Sequence, residues 1–316
     1  MPFRKTAVAS LAVLSPFFAE FLLGDQYLAG PPEVGRQLVT FAIFVAFYGA
    51  GAVLIREVAR RLGRGWPTIL VLALAYGVVE EGLLTQTLFN QHYLGGDLLS
   101  AAYIPWLGIG GRWTVYVLTL HTVWSIATPI AIAEAFSGRT PWLRRPGMWV
   151  WSCVLLVGCA ATFVVNYRIG HFLASPVQLV GALVVVAALV VVSLRFTGVT
   201  RQAHGNGWVG FAVGLVASTA FQVVMKMSPL PSWPAVGIAL ALEAAVVTYA
   251  VRARPPAISL AAGATITYGW LGLLTALDAG FAATVEQSVL AAVAIGVAMT
   301  ALRRRTSIRQ ISETRR

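Results

Sequence analysis

The sequence predicts an all-α protein, a polytopic transmembrane helix bundle of about ten spans, and three observations support this fold class. Hydrophobic residues make up 58% of the 316 residues and charged residues only 11%, against ~25% in ordinary soluble domains. Only 12 residues are acidic, too few to cover the surface of a soluble domain of this length. The apolar stretches also lack the alternating pattern of an outer-membrane barrel. We therefore expect an integral, multi-pass protein of the cell (cytoplasmic) membrane.

Each predicted span is long enough to cross ~30 Å of hydrocarbon and is bounded by charged residues, proline or glycine. The first begins after Arg4 and Lys5, as a signal peptide would, but Glu20 and Asp25 interrupt that pattern, so a retained span is predicted. In chain order the spans are Thr6 to Gly24, Gln37 to Ile55, Trp66 to Asn90, Trp113 to Phe136, Met148 to Tyr167, Val177 to Leu194, Trp208 to Val224, Trp233 to Val251, Ala257 to Leu277 and Ala282 to Leu302.

The distribution of basic residues predicts the orientation of the bundle. If the N-terminus lies inside, 19 of the 23 basic residues fall on the cytoplasmic side, and only Arg36, Arg112, Arg168 and Lys226 fall on the other. An excess of Lys and Arg marks cytoplasmic loops, so both termini are predicted to be cytoplasmic. This topology also accounts for the net charge of +11, with anionic lipid headgroups as the expected partners and no nucleic acid.

The chain reads as a single integral membrane domain over residues 1–316, because no internal repeat, linker or soluble domain is visible in it. A motif-bearing core covers about residues 66–176. Additional spans follow over 177–302, and a basic cytoplasmic tail over 303–316.

Two adjacent acidic residues, Glu80 and Glu81, interrupt the third span within the hydrocarbon region. A charge at the bilayer centre costs about 2.5 to 3.5 kcal/mol on insertion scales, so intramembrane acids indicate a functional site. Adjacent side chains on a helix point about 100° apart. We therefore expect that only one of the two carboxyl groups faces a small pocket and that the other takes a structural partner.

Two histidines follow on the next two spans. At 1.5 Å per residue, His121 in the fourth span lies close to the depth of Glu80 and Glu81, and antiparallel neighbouring helices bring these groups to one level. Ser125 lies on the same helical stripe as His121. His171 lies at the outer end of the fifth span. The predicted catalytic residues are Glu80, Glu81, His121 and His171.

A carboxylate beside neutral imidazoles suits hydrolytic chemistry. The carboxylate can deprotonate a confined water, and the histidines can donate to a developing oxyanion. The same side chains are also acceptable zinc ligands. No HExxH motif is present, so no cofactor is predicted, although zinc stays possible.

The order of these motifs resembles the CPBP family, the CAAX-prenyl-protease and bacteriocin-processing intramembrane peptidases, whose pattern is EExxxR, then FxxxH, then HxxxN/D. The resemblance covers about Tyr76 to Ser175. It implies that Glu80 activates water and that His121 and His171 polarise the water and the oxyanion. This sequence has Thr85 at the position of the family's arginine and Ser175 at the position of its final Asn or Asp.

Three functions remain open on the sequence alone. The first is an intramembrane hydrolase, a protease acting on a membrane-associated peptide. The second is a proton-coupled secondary transporter or permease for a small solute, in which Glu243 and Glu286 could add relay sites. The third is a non-catalytic accessory subunit. We expect Glu134 to pair with a cytoplasmic arginine. We expect Glu20 to join the acid cluster.

Overall fold

The computed structural model describes residues 2–196 and 203–313, and helices account for most of this part of the chain, which confirms the all-α prediction. A single two-stranded antiparallel hairpin, β1 (Tyr103–Ile104) and β2 (Ile109–Gly110), is seen within it. The α-helices are α1 (Pro2–Pro16), α2 (Val34–Phe44), α3 (Ala50–Arg61), α4 (Trp66–Val79), α5 (Gly111–Leu120), α6 (Thr128–Ser137), α7 (Arg145–Gly170), α8 (Pro176–Ser193), α9 (Gly207–Gln222), α10 (Ser232–Ala253), α11 (Ala257–Asp278) and α12 (Phe281–Glu313).

Among the described residues, nine helices are long and apolar enough to cross a bilayer, and they correspond to the second to tenth predicted spans. The first predicted span is also helical over residues 2–21 but does not belong to these nine. The protein is therefore an integral, multi-pass membrane protein. Arg201 and residues 314–316 of the predicted basic tail lie outside the described residues.

Several spans change from α-helical to π-helical geometry partway through. A π-helical turn admits an extra residue and is found frequently at functional sites. Within the described ranges these segments are π1 (Phe17–Phe21), π2 (Val45–Gly49), π3 (Glu80–Leu84), π4 (His121–Ala127) and π5 (Val223–Met227). The spans therefore continue through these segments, as in the continuous helix Gly111–Ser137.

The bundle has a buried centre and a lipid-facing periphery. Gly111–Ser137 and α11 are buried over most of their length, whereas α7, α8 and α10 are mainly exposed. The exposed side chains of these outer helices are largely apolar, including Val177 and Leu156. Because the bilayer solvates such surfaces, the periphery is the expected contact with lipid tails.

A buried ion-pair network fixes the predicted cytoplasmic end of the bundle. Both oxygens of Glu134 accept hydrogen bonds from Arg60, each at 2.7 Å, and Arg56 donates to one of them at 3.1 Å. This confirms the expected pairing of Glu134 with arginine, and the cytoplasmic location of that arginine stays a prediction. Arg56 also contacts Glu57 at 2.5 Å and lies 3.4 Å from the centroid of the Trp142 ring. The network thus joins α3 to α6 and to the loop that follows α6.

Glycine permits a close approach between the first two spans. A Cβ atom on Gly49 would overlap the backbone oxygen of Ala12 in α1. Substitution Gly49→Ala is therefore expected to lower the free energy of unfolding by about 1–3 kcal/mol, as overpacking does. Gly181→Ala is the matched control, since a Cβ at that lipid-facing position meets no described atom within 4 Å. Unfolding in detergent measures both; equal stability of the two variants would contradict the tight approach.

Candidate functional site

Glu80, Glu81 and His121 converge in one buried cluster. Nε2 of His121 lies 2.7 Å from Oε1 of Glu81, and Nδ1 lies 3.1 Å from Oε2 of Glu80. All three side chains are buried. The depth match that the sequence predicts between the third and fourth spans is therefore present as direct contact.

The two adjacent acids converge on one group, which their separation of about 100° on an α-helix does not predict. Both carboxyl groups contact the same imidazole. The two ring nitrogens flank Cε1 and point in different directions, so one ring can lie between two adjacent side chains of a helix. Both acids also belong to π3, where the helix departs from α-helical geometry.

Glu81 is surrounded by hydrogen-bond donors. Its Oε2 accepts from the hydroxyl group of Thr87. The Thr85 hydroxyl lies 3.1 Å from the same oxygen and 3.0 Å from the backbone oxygen of Glu80. The indole of Trp113 donates to the Thr87 hydroxyl at 2.9 Å, and because an indole nitrogen can only donate, the hydrogen of Thr87 is free to point at Glu81. With Thr87 holding Oε2, the other oxygen of Glu81 lies against Nε2 of His121 and orients the imidazole.

Glu80 has one engaged oxygen and one free oxygen. The Tyr48 hydroxyl contacts Oε1. The other oxygen, Oε2, is buried and has no hydrogen-bond partner among the described residues, because its 3.1 Å approach to His121 is not aligned as a hydrogen bond. A buried oxygen without a partner carries a desolvation cost, so it calls for an explanation such as a catalytic role or a bound water.

Glu20 also reaches the cluster. The Tyr48 hydroxyl lies between Oε1 of Glu80 and Oε1 of Glu20 and is within hydrogen-bonding distance of both. Tyr48 is almost fully buried, and its ring stacks on the His121 ring with centroids 6.0 Å apart. Glu20 is half-buried. The expectation that Glu20 joins the acid cluster is confirmed.

Every acidic or imidazole member of the cluster lies on a π-helical segment. Glu20 lies on π1, Tyr48 on π2, Glu80 and Glu81 on π3, and His121 on π4. A π-helical turn is costly and rare, and four of them meet at one group of polar side chains. This coincidence marks the cluster as the candidate functional site.

The structure does not bring His171 into this cluster. His171 is exposed and caps the C-terminal end of α7 in a left-handed conformation, with φ of 46°. Its nearest ring partner is Tyr167, 6.1 Å away between centroids. Ser175, at the position of the CPBP Asn or Asp, caps the N-terminus of α8 by accepting a hydrogen bond from the backbone of Gln178.

A narrow cleft on the predicted outer side adjoins the cluster. It lies between the end of π3 and the last turns of α7, and Gly170 and Phe172 on either side of His171 form part of its wall. Thr85 lines the cleft, and its hydroxyl lies 3.1 Å from Oε2 of Glu81. The polar side chains of the wall are Thr85, Gln86, Asn90, Tyr93, Asn166 and Tyr167.

The remaining intramembrane acids lie outside the cluster, each with a neighbouring partner. Thr119 lies 2.6 Å from the carboxyl group of Glu243, and Gln37 donates to Glu286 at 2.8 Å. These contacts join α5 to α10 and α2 to α12. Both acids therefore take part in packing between helices, whatever further role they have.

Tyr48 and Thr87 are site residues that the sequence reasoning missed. Tyr48 lies in an apolar span with no neighbouring charge, and Thr87 follows the helical part of the third span. One signal for Tyr48 was available: Gly49 and Gly51 follow it, and small residues are enriched where membrane helices approach closely. Ser125, which the sequence placed on the His121 stripe, lies 3.3 Å from Nδ1.

Comparison with known proteins gives a family for nearly the whole chain. No curated protein and no solved structure matches it. A family model matches residues 9–313, and its description is an uncharacterized membrane protein family. The match includes every residue of the cluster and agrees with the membrane-spanning helices. The chain therefore belongs to this uncharacterized family of membrane proteins.

Proposed function

We propose that this protein is an intramembrane hydrolase of the peptidase class, in which Glu80 activates water and His121 stabilises the oxyanion. The observation that carries the proposal is the free Oε2 of Glu80, buried 3.1 Å from an imidazole that Glu81 holds in place. A general base needs a lone pair that its surroundings do not already use. Oε2 is the carboxylate oxygen of the pair that meets this requirement.

The reaction follows from this division of roles. A water bound between Glu80 and His121 loses a proton to Oε2 as its oxygen attacks the peptide carbonyl carbon. For this role His121 carries a hydrogen on both ring nitrogens: Nε2–H stays with Glu81, and Nδ1–H donates to the oxyanion that forms. The buried position of the site strengthens that interaction. The proton held by Glu80 then passes to the amine as the carbon–nitrogen bond breaks, which returns the carboxylate.

The cleft beside the cluster gives the site a polar wall on the predicted outer side. The amide groups of Gln86, Asn90 and Asn166 line it and are held in place by hydrogen bonds to neighbouring groups of the protein. His171, between two residues of the wall, is placed to contact a substrate at the outer rim. This assignment departs from the CPBP resemblance, which implies a direct catalytic role for His171.

The resemblance to the CPBP family supports the same roles for Glu80 and His121, although the matching family model does not name that family. Zinc is an alternative source of the same chemistry. One ligand atom from each of Glu80, Glu81 and His121 can be chosen so that all three lie within 4.8 Å of one another. Three protein ligands with an open position are usual in catalytic zinc sites.

Proton-coupled transport is the second candidate function. The linked series Glu20, Tyr48, Glu80, His121 and Glu81 favours it, because chains of acids and histidines carry protons in transporters. The two proposals predict different measurable products. A hydrolase generates new peptide termini, whereas a transporter moves protons with a solute.

The test is cleavage of membrane peptides by the purified protein in liposomes. Membrane fractions of the expressing cells serve as substrate, and new peptide termini are identified by mass spectrometry. We expect termini that form with the native chain and with Glu286→Gln, but not with His121→Asn. An unchanged set of termini with His121→Asn would overturn the proposal. Loss of cleavage after chelation would assign the cluster to a metal, and proton uptake without cleavage would support transport.

A further inference from the structure

We infer that the predicted cytoplasmic end of the bundle binds the phosphate group of an anionic phospholipid, at a site formed by Arg61 at the end of α3 and by Arg144 and Arg145 at the start of α7. The net charge of the chain predicts only a general attraction to anionic headgroups. The contacts at this end of the bundle give that attraction a place and a geometry. The site is independent of the reaction proposed above.

Charge balance is the first argument. The two acids of the ion-pair network, Glu57 and Glu134, are buried and already engaged by arginines and by backbone N–H groups. Arg144 and Arg145 are exposed, and neither forms an ion pair with a described residue. This surface therefore carries positive charge that the described part of the chain does not compensate.

The loop between α6 and α7 holds the arginines of the site close together. The backbone N–H groups of Trp142 and Leu143 donate to the two carboxylate oxygens of Glu57 in α3, at 2.8 and 3.1 Å. Arg61 of α3 in turn donates to the backbone oxygen of Leu143, the residue before Arg144. The end of α3 and the start of α7 are thus fixed to each other. An anion can therefore meet Arg61 and Arg144 without first ordering the loop, which lowers the cost of binding.

The start of α7 lacks the groups that usually satisfy a helix N-terminus. Its first turn contains no acid, and Arg144, at the N-cap, makes no side-chain cap hydrogen bond. Helix N-termini carry partial positive charge and favour anions, so two arginines are unfavourable there unless a negative group lies beside them. The start of α8 shows the ordinary solution, since Ser175 caps its first turn.

Unpartnered hydrogen-bond donors mark the same end of the bundle. The indole nitrogens of Trp142 and Trp66 and Nη1 of Arg64 are buried and have no hydrogen-bond partner among the described residues. Trp142 is only 5% exposed and lies two residues before Arg144. Indole and guanidinium nitrogens donate and do not accept. A phosphate diester, which only accepts, therefore complements both the charge and the hydrogen-bonding groups of this end.

The lipid-facing side of α7 favours a phospholipid over a free phosphate. Arg145 is the first residue of the span Arg145–Gly170, so it lies at the level of the headgroups. Trp149 follows one turn later on the same face of the helix and is 75% exposed. The exposed side chain of Leu156 continues this face toward the bilayer centre. A lipid with its phosphate at Arg145 thus has an apolar surface beside its acyl chains.

Native mass spectrometry of the full-length protein in detergent measures the binding of phosphatidylglycerol, which is anionic, and of phosphatidylcholine, which is zwitterionic. We expect the native chain to bind phosphatidylglycerol about tenfold more tightly. Arg144→Gln/Arg145→Gln is expected to weaken phosphatidylglycerol binding by about 30-fold, since each arginine near a lipid surface contributes roughly fivefold. Phosphatidylcholine binding is expected to stay unchanged. Arg61→Gln, a second variant that removes one charge of the site, is expected to weaken phosphatidylglycerol binding by about fivefold.

The matched control is Arg252→Gln/Arg254→Gln, which removes the same charge at the end of α10, also on the predicted cytoplasmic side. This control is expected to bind phosphatidylglycerol as the native chain does. Equal losses in the two double variants would refute the site, because general attraction to a basic surface would then explain the binding. Inorganic phosphate is the second control and is expected to leave the lipid bound. Displacement of phosphatidylglycerol by an equal concentration of inorganic phosphate would overturn the assignment of a lipid as the ligand.

Discussion

Glu80→Gln is expected to lower kcat for peptide cleavage by about 10²–10⁴-fold, the contribution typical of a general base. Glutamine has the shape of glutamate, and its side-chain oxygen can still accept from Tyr48. Its amide nitrogen, however, cannot take a proton from water. The variant should therefore fold and bind peptide while losing the chemical step. Steady-state kinetics on a peptide identified in the cleavage assay measure the effect.

Glu243→Gln is the matched control for this substitution. Glu243 is also an intramembrane acid with a hydroxyl partner, Thr119 at 2.6 Å, but it lies outside the cluster. The control is expected to keep kcat within about threefold, since a change in one distant contact alters a barrier by well under 1.4 kcal/mol. If Glu80→Gln keeps a tenth or more of the native kcat, Glu80 is not the base.

Glu134→Ala is expected to have the largest effect on stability, a loss of about 3–5 kcal/mol, which is usual when one partner of a buried ion pair is removed. The substitution takes away the acceptor of three hydrogen bonds and leaves Arg60 without its carboxylate partner. Arg56 keeps Glu57 but loses its bond to α6. Thermal and denaturant unfolding in detergent measure the loss.

Arg139→Ala tests whether burial causes that effect. Arg139 contacts the same carboxylate, at 3.7 Å, but its side chain is 37% exposed. Exposed ion pairs contribute about 0–1 kcal/mol, so this variant should unfold close to the native midpoint. Comparable losses from Glu134→Ala and Arg139→Ala would mean that the buried network does not hold the helix ends together.

The membrane fold could be predicted from the sequence because the hydropathy of a span is summed over about twenty residues, so that single exceptions do not hide it. Hydropathy identifies each span, and counting residues at 1.5 Å each gave the common depth of Glu80 and His121. The pairing of Glu134 was also predictable, because a buried carboxylate near a basic loop needs a cation. These inferences use only position along a helix.

The lateral arrangement of the site could not be predicted in the same way. Tyr48 reaches Glu80 where Gly51 lets the second and third spans approach closely, since a Cβ atom on Gly51 would overlap the Tyr76 ring. Thr87 reaches Glu81 after the third span has ended. His171 lies toward the predicted outer side, as its place in the chain suggests, but the left-handed end of α7 leaves it exposed. Such features depend on how helices pack and where they end, which a single sequence does not encode locally.

The contact between Glu81 and His121 bears on how the protein enters the bilayer during synthesis. The ribosome delivers the third span before the fourth, so two carboxyl groups would meet hydrocarbon ahead of the imidazole that neutralises them. Each acid alone raises the cost of insertion by about 2.5 to 3.5 kcal/mol. Entry of both spans together, as a helical hairpin joined by residues 85–110, avoids that intermediate and delivers the polar groups already paired.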